Sequence, residues 1–146
     1  MPSPSSVRFD PAVLDRLNTF VAANPGSSLS STANRLIDEA LRVQAHPMIV
    51  FRDGPAGRRA RLVGGPDVWE VVRATKSTRQ AEPHLSAEAV VSLVADTSGV
   101  APGHVRAALS YWAEFPDEVD VFIEQARAME EQERKRWRRE RELLGS

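Results

Sequence analysis

SVRFDPAVLDRLNTFVAANPGSSLSSTANRLIDEALR, residues 6–42, carries its structural signals in a telling order. The alternation Ser5-Ser6-Val7-Arg8-Phe9 predicts a short strand. Side chains alternate across a strand, so Val7 and Phe9 take one side while Ser6 and Arg8 take the other. Asp10-Pro11 follows; Asp is a good N-cap and Pro is favoured at the first helical position. Val13, Leu14, Leu17, Phe20 and Val21 then recur at helical spacing until Asn24-Pro25-Gly26 stops the helix. A second helix is expected from about Ser30. Its stripe is Ala33, Leu36, Ile37, Ala40 and Leu41, and His46-Pro47 ends it.

One isolated five-residue strand cannot bury Val7 and Phe9, because its own backbone groups would stay unpaired. A two-fold partner solves this: two copies of the strand pair antiparallel and four helices cover the inner face. The outer face then presents Ser6 and Arg8 from each chain. A two-stranded ribbon fits the DNA major groove, where Arg reaches guanine O6 and N7.

On these residues the first third of the chain resembles a ribbon-helix-helix domain of the MetJ/Arc type, as used by many antitoxins. The resemblance implies base reading by the alternate outward strand positions, here Pro4, Ser6 and Arg8. Pro4 has no base-reading group, which leaves a smaller set than the family norm. The resemblance also implies phosphate binding by backbone amides at the start of the second helix, at Ser28, Leu29 and Ser30. Free N–H groups at a helix start suit an anion.

Outward from this segment, Met48–Arg52 and Arg58–Val63 read as strands of a hairpin turning at residues 53–57. A short helix is expected around Val68–Thr75, and Lys76–Pro83 reads as a flexible polar connector. Ser86 opens a further helix, Thr97–Val100 turns, and a helix follows from about Ala101 to Glu114. Phe115-Pro116 breaks it. The last helix then runs to Leu144, its apolar stripe thinning beyond Met129 to Trp137, Leu143 and Leu144.

Gly57-Arg58-Arg59, Ala108-Leu109-Ser110-Tyr111-Trp112 and Pro116-Asp117-Glu118-Val119-Asp120 together resemble a small helix-turn-helix-like domain family often encoded beside PIN-like nuclease toxins. The resemblance implies a toxin as protein partner. The helix pair from Ser86 to Glu114 offers few base readers beyond His104 and Arg106, so a packing role is expected for it.

Trp137 sits among Arg134, Lys135, Arg136, Arg138 and Arg139. A PIN-like nuclease gathers carboxylates around Mg²⁺, and a guanidinium inserted among them would form charge-assisted hydrogen bonds and compete with the metal. Aromatic anchors beside arginines also favour interface cores. Toxin binding is therefore assigned to Arg134, Trp137 and Arg138. A solvent-exposed helix end and a coiled-coil pairing with the other subunit remain open for the same segment.

Charge is uneven despite a net charge of −1, which supplies no global field for nucleic acid. From Arg52 to Arg79 there are seven Lys/Arg against three Asp/Glu, a basic patch whose hairpin arginines Arg52, Arg58, Arg59 and Arg61 meet phosphate, meet an acidic partner, or guard a strand edge. Glu130–Glu142 carries six Lys/Arg against five Glu, the pattern of a solvated mixed-charge helix. Cysteine is absent, which excludes disulfides, thiolate metal sites and a cysteine nucleophile and fits a cytoplasmic location. No secretory leader and no membrane-spanning run is expected. His46, His84 and His104 are scattered, and no phosphate-binding loop or nucleophile elbow occurs. The reading is of a non-enzyme with no catalytic residues, no metal site and no cofactor.

The expected fold is mainly α with short β elements. A ribbon-helix-helix homodimer occupies residues 5–45, a β-hairpin and short helix 46–80, and a helical region with a partner-binding C-terminal helix 81–146. The expected partners are double-stranded operator DNA and a PIN-like toxin. The expected role is an antitoxin that neutralises this toxin and represses its own operon. A free-standing ribbon-helix-helix regulator is the alternative, and a protein adaptor without DNA binding is the third reading.

Overall fold

The computed structural model describes residues 4–145, which divide into two compact units, one ending at Ala45 and one beginning at His46. The first holds helices α1 (Pro11–Ala23) and α2 (Leu29–Ala45). Asp10 is the N-cap residue of α1 and Pro11 fills its first position, where the missing N–H costs nothing. Ser28 and Ser31 cap α2 reciprocally: the Ser31 amide donates to Ser28 Oγ (3.0 Å) and the Ser28 amide to Ser31 Oγ (3.2 Å). Residues 4–10 carry no regular secondary structure. A ribbon strand exists only through pairing, and a single chain supplies no second strand.

The apolar stripes of α1 and α2 form at the expected positions, but little covers them. Leu17 is the one apolar residue buried among the described residues of this unit, beside Thr32. Val13, Phe20, Ile37 and Leu41 remain exposed. A segment of this size with so small a core does not reach independent stability.

The second unit holds strands β1 (Ile49–Arg52) and β2 (Arg59–Leu62), then helices α3 (Val68–Ala81), α4 (Ala87–Ser98), α5 (Pro102–Glu114) and α6 (Pro116–Leu144). The strands pair antiparallel, with Ile49 opposite Leu62 and Arg52 opposite Arg59. Ile49, Ala60 and Leu62 turn inward onto a core completed by valines of α3 and α4. The hairpin and the helices after it therefore share one core. Helix α5 runs through its centre, with Val105, Ala108 and Tyr111 fully enclosed. The buried Tyr111 phenol donates to Glu118 Oε2 (2.7 Å), which satisfies its hydroxyl. His46, the first residue of the unit, packs edge-on against Tyr111, and its Nε2 lies 2.6 Å from Glu114 Oε2.

Helix α3 corrects one expectation. It continues through Lys76 to Ala81, where the polar composition pointed to a flexible connector. Tertiary contacts hold this extra turn. Lys76 Nζ reaches Asp120 Oδ1 (2.9 Å) and lies 5.2 Å from the centre of the Trp112 ring, while Arg79 donates to the Leu85 carbonyl (2.7 Å). Asp120 also accepts from Trp112 Nε1 (2.9 Å). Burial acts to raise the Asp120 pKa, but the hydrogen bonds from Lys76 and Trp112 and the Lys76 charge outweigh it and hold the carboxyl below its usual range. A depressed carboxylate stabilises above its unfolded pKa and loses that contribution as pH falls through the folded one. Acidification below about pH 4 is therefore expected to loosen α6 from α3. Asp120→Asn should remove that part of the acid dependence, an effect of about 1 kcal/mol or less for so exposed a pair, checked by urea melts across the acid range.

Helix α6 outruns the body. Its last tie to another element is Arg73 Nη1 to Glu130 Oε1 (2.8 Å), and every residue from Gln132 to Gly145 is exposed. At 1.5 Å per residue this projects the helix by about 20 Å. The end is encoded: Gly145 adopts φ 73° and donates its N–H to the Arg141 and Glu142 carbonyls. No helix among the described residues is long and apolar enough to cross a membrane.

Candidate nucleic-acid interface and partner-binding helix

In the first unit, Phe9 leads into α1 and lines a cleft of about 310 Å³ with Val13, Leu17, Phe20, Leu36 and Ile37. This cleft is the uncovered apolar face described above. Ser6 and Arg8 are exposed ahead of it. Val7, expected on the same side as Phe9, is 67% exposed and does not line the cleft. Arg16 stands at the cleft edge, and Arg35 lies 5.7 Å from the centre of the Phe20 ring.

Ser28, Leu29 and Ser30 are exposed at the start of α2. The Ser28 hydroxyl serves the cap, so an anion there would meet the first-turn amides of Leu29 and Ser30. These precede the first i→i−4 bond of the helix, made by Thr32 N–H to the Ser28 carbonyl (3.0 Å). The helix dipole adds positive potential at the same point.

Two acids of the second unit, Asp53 and Asp67, pair with three of the hairpin's arginines. Asp67, at the N-terminus of α3, is buried and forms an ion pair with Arg59. It also lies 3.2 Å from Arg61 Nε and accepts from Trp69 Nε1 (3.1 Å). Arg61 donates further to the Gly65 carbonyl, and Arg58 pairs with Asp53 (3.4 Å). Gly54 makes room for this clamp: a Cβ there would stand 1.7 Å from Arg59 Nη1. The hairpin arginines thus tie β2 to α3. Arg61→Ala should lower the stability of the second unit and leave the salt dependence of any DNA binding unchanged, a split read by urea melts beside titrations at several salt concentrations.

Helix α5, the second of the helix-turn-helix-like pair, spends its buried face on the core. Its Arg106 is paired with Glu88 of α4 (3.1 Å). This pair packs the unit and offers few groups to a groove.

At the C-terminus, Arg134 and Trp137 line one shallow cleft on α6 with Met129, Glu130 and Glu133. Arg138 does not line it. The cation over the Trp137 ring is Arg141, 4.7 Å from its centre. Arg134 and Arg136 are paired along the helix with Glu131 and Glu133. Among the described residues Lys135, Arg138 and Arg139 make no ion pair, and helical geometry turns them away from Trp137. The tail therefore has an aromatic side and a free cationic side.

Sequence reasoning missed the Asp67 clamp and the Tyr111–Glu118 bond. The Asp67-Val68-Trp69-Glu70 run, an N-cap acid followed three residues later by Glu, marked a helix start but not the arginines it would recruit from β2. Comparison with protein-family models, with curated proteins and with solved structures gives no match for this chain.

Proposed function

We propose that this protein is a DNA-binding antitoxin. Its N-terminal unit pairs with a second copy as a ribbon-helix-helix and represses its own operon, and its C-terminal helix neutralises a PIN-like nuclease. The observation that carries the DNA-binding half is the first unit's missing core. Two amphipathic helices with one buried apolar residue, preceded by a segment carrying Val7 and Phe9, need a second copy to close over them. Closure would pair residues 5–9 into a ribbon and set Ser6 and Arg8 on its outer face. The Leu29 and Ser30 amides would then take backbone phosphates.

The toxin-binding half rests on the resemblance of the second unit and on the projecting end of α6, where Trp137 is 56% exposed on a helix that nothing covers. Arg134 and Trp137 would anchor one side of the contact, and Arg138 would reach carboxylates on the nuclease.

DNA binding is tested by a mobility shift on the upstream region at several salt concentrations. Log affinity should fall linearly with log salt, by about 0.9 per neutralised phosphate. Arg8→Ala should cost about 1–3 kcal/mol of affinity for the specific site; unchanged binding would overturn ribbon readout. Removing residues 137–146 should abolish neutralisation of the neighbouring nuclease while DNA binding persists. Full neutralisation by the shortened chain would overturn the tail's role.

A further inference from the structure

Beyond Glu130 the charges of α6 are sorted by side. At about 100° per residue, Lys135 and Arg139 project opposite Trp137, and Arg138 projects from the flank between. All three are exposed, and among the described residues none makes an ion pair. The acids Glu133 and Glu140 stand on the other side, and Arg136 beside them is already bonded to Glu133 (2.6 Å). Two acids share the cationic side. Arg134 reaches Glu131 at 4.0 Å, and Glu142 lies one turn beyond Arg138.

The chemistry of this side selects its occupant. Beyond Glu130 it carries no apolar residue, so it lacks the desolvated core around which a protein interface forms. It has no aromatic ring on which an unpaired base could stack. What remains is a row of cations on an uncovered helix. Such a row neutralises a phosphate backbone without reading bases. Lys135, Arg138 and Arg139 fall within about 6 Å of helix axis. Phosphates of one DNA strand advance about 3.4 Å along the duplex axis, so the three heads match about three successive phosphates. Glu133 and Glu140 then point away from the duplex.

We propose that Lys135, Arg138 and Arg139 on the projecting end of α6 form a second contact to the DNA backbone, which adds sequence-independent affinity. The inference takes its duplex from the DNA-binding reading of the first unit. Three phosphate contacts alone hold DNA weakly at physiological salt, so this side works in addition to a contact made elsewhere. Arg138 stands on the flank shared with the proposed toxin contact, while Lys135 and Arg139 belong to the DNA side alone.

The test measures binding of the full chain to its upstream duplex, by fluorescence anisotropy at several salt concentrations. The combined Lys135→Gln, Arg138→Gln and Arg139→Gln variant should give a shallower slope of log affinity against log salt. The change should be about 2.7 for each engaged copy, at about 0.9 per lost phosphate contact. Affinity at low salt should fall at least tenfold, and by the same factor on a duplex of unrelated sequence. Helicity should not change, because these side chains touch no other element. Arg8→Ala reports separately on the first unit: it should weaken the upstream site and leave the unrelated duplex unaffected. No effect of Arg8→Ala beside a shallower slope in the triple variant would overturn ribbon readout and support the tail contact. An unchanged slope in the triple variant would overturn the tail contact, whatever Arg8→Ala does. Absence of salt-dependent binding by the full chain would overturn both, and a larger loss on duplex RNA than on DNA would overturn the choice of DNA.

Discussion

Ile37→Glu should leave the chain folded in its second unit yet unable to pair its first units or to bind DNA. Ile37 lies on the wall of the uncovered cleft and is 49% exposed in the single chain, so a glutamate there stays hydrated and barely alters helix propensity. Once a second copy closes the cleft, the same carboxylate is trapped without a partner from both sides. Burying an unpaired charge costs several kcal/mol per ion. Two per dimer would weaken association by about a thousandfold or more. The experiment is cleanest in the chain ending at Glu130, where the projecting end of α6 is absent. Sedimentation should give two copies for the parent and one for the variant, and the mobility shift on operator DNA should disappear. A variant that still pairs and still shifts DNA would place the dimer contact elsewhere.

Asp67→Ala should strongly destabilise the second unit. The carboxylate is buried and receives Arg59, Arg61 and the Trp69 indole N–H. Its backbone N–H donates to Glu70 Oε2 (3.0 Å) at the first turn of α3. Removing one partner of such a cluster leaves the others desolvated and unmatched, at a cost of about 3–5 kcal/mol. That is a large share of the 5–15 kcal/mol that holds a domain together. The urea midpoint should fall with an unchanged slope, since the loss is of stability and not of cooperativity. Asp67→Asn keeps an acceptor for the indole and for one guanidinium but loses the charge, so its cost should be intermediate. A cost below about 1 kcal/mol for the alanine variant would show the arginines to be solvated in practice, as at an ordinary surface pair.

How far the sequence reached differs from element to element. The ends of α1 were legible because Asp10-Pro11 and Asn24-Pro25-Gly26 act locally through backbone geometry. The hairpin turn and the break at Phe115-Pro116 were legible for the same reason. The end of α3 was not. Lys76–Ala81 has the composition of a linker, and what makes it helical is Asp120 and Trp112, more than thirty residues away. The basic patch is a concentration of charge in the sequence, but Arg59 and Arg61 within it share one buried acid, Asp67, and composition does not report burial. Tyr111 looked like one aromatic of a run, yet it is the residue enclosed at the centre of the core, with Glu118 to satisfy its hydroxyl.

The sequence alone determined where most of the helices begin and end and which of their faces are apolar. Those properties follow from capping, from proline and glycine stereochemistry, and from the 3.6-residue period, all of which act within a few residues. Only the tertiary structure decided that the hairpin shares one core with the helices after it, that Asp67 draws in two of the arginines, and that α3 continues to Ala81. Each depends on which distant groups meet, because burial and charge pairing are set by three-dimensional neighbours and leave no local imprint on the chain.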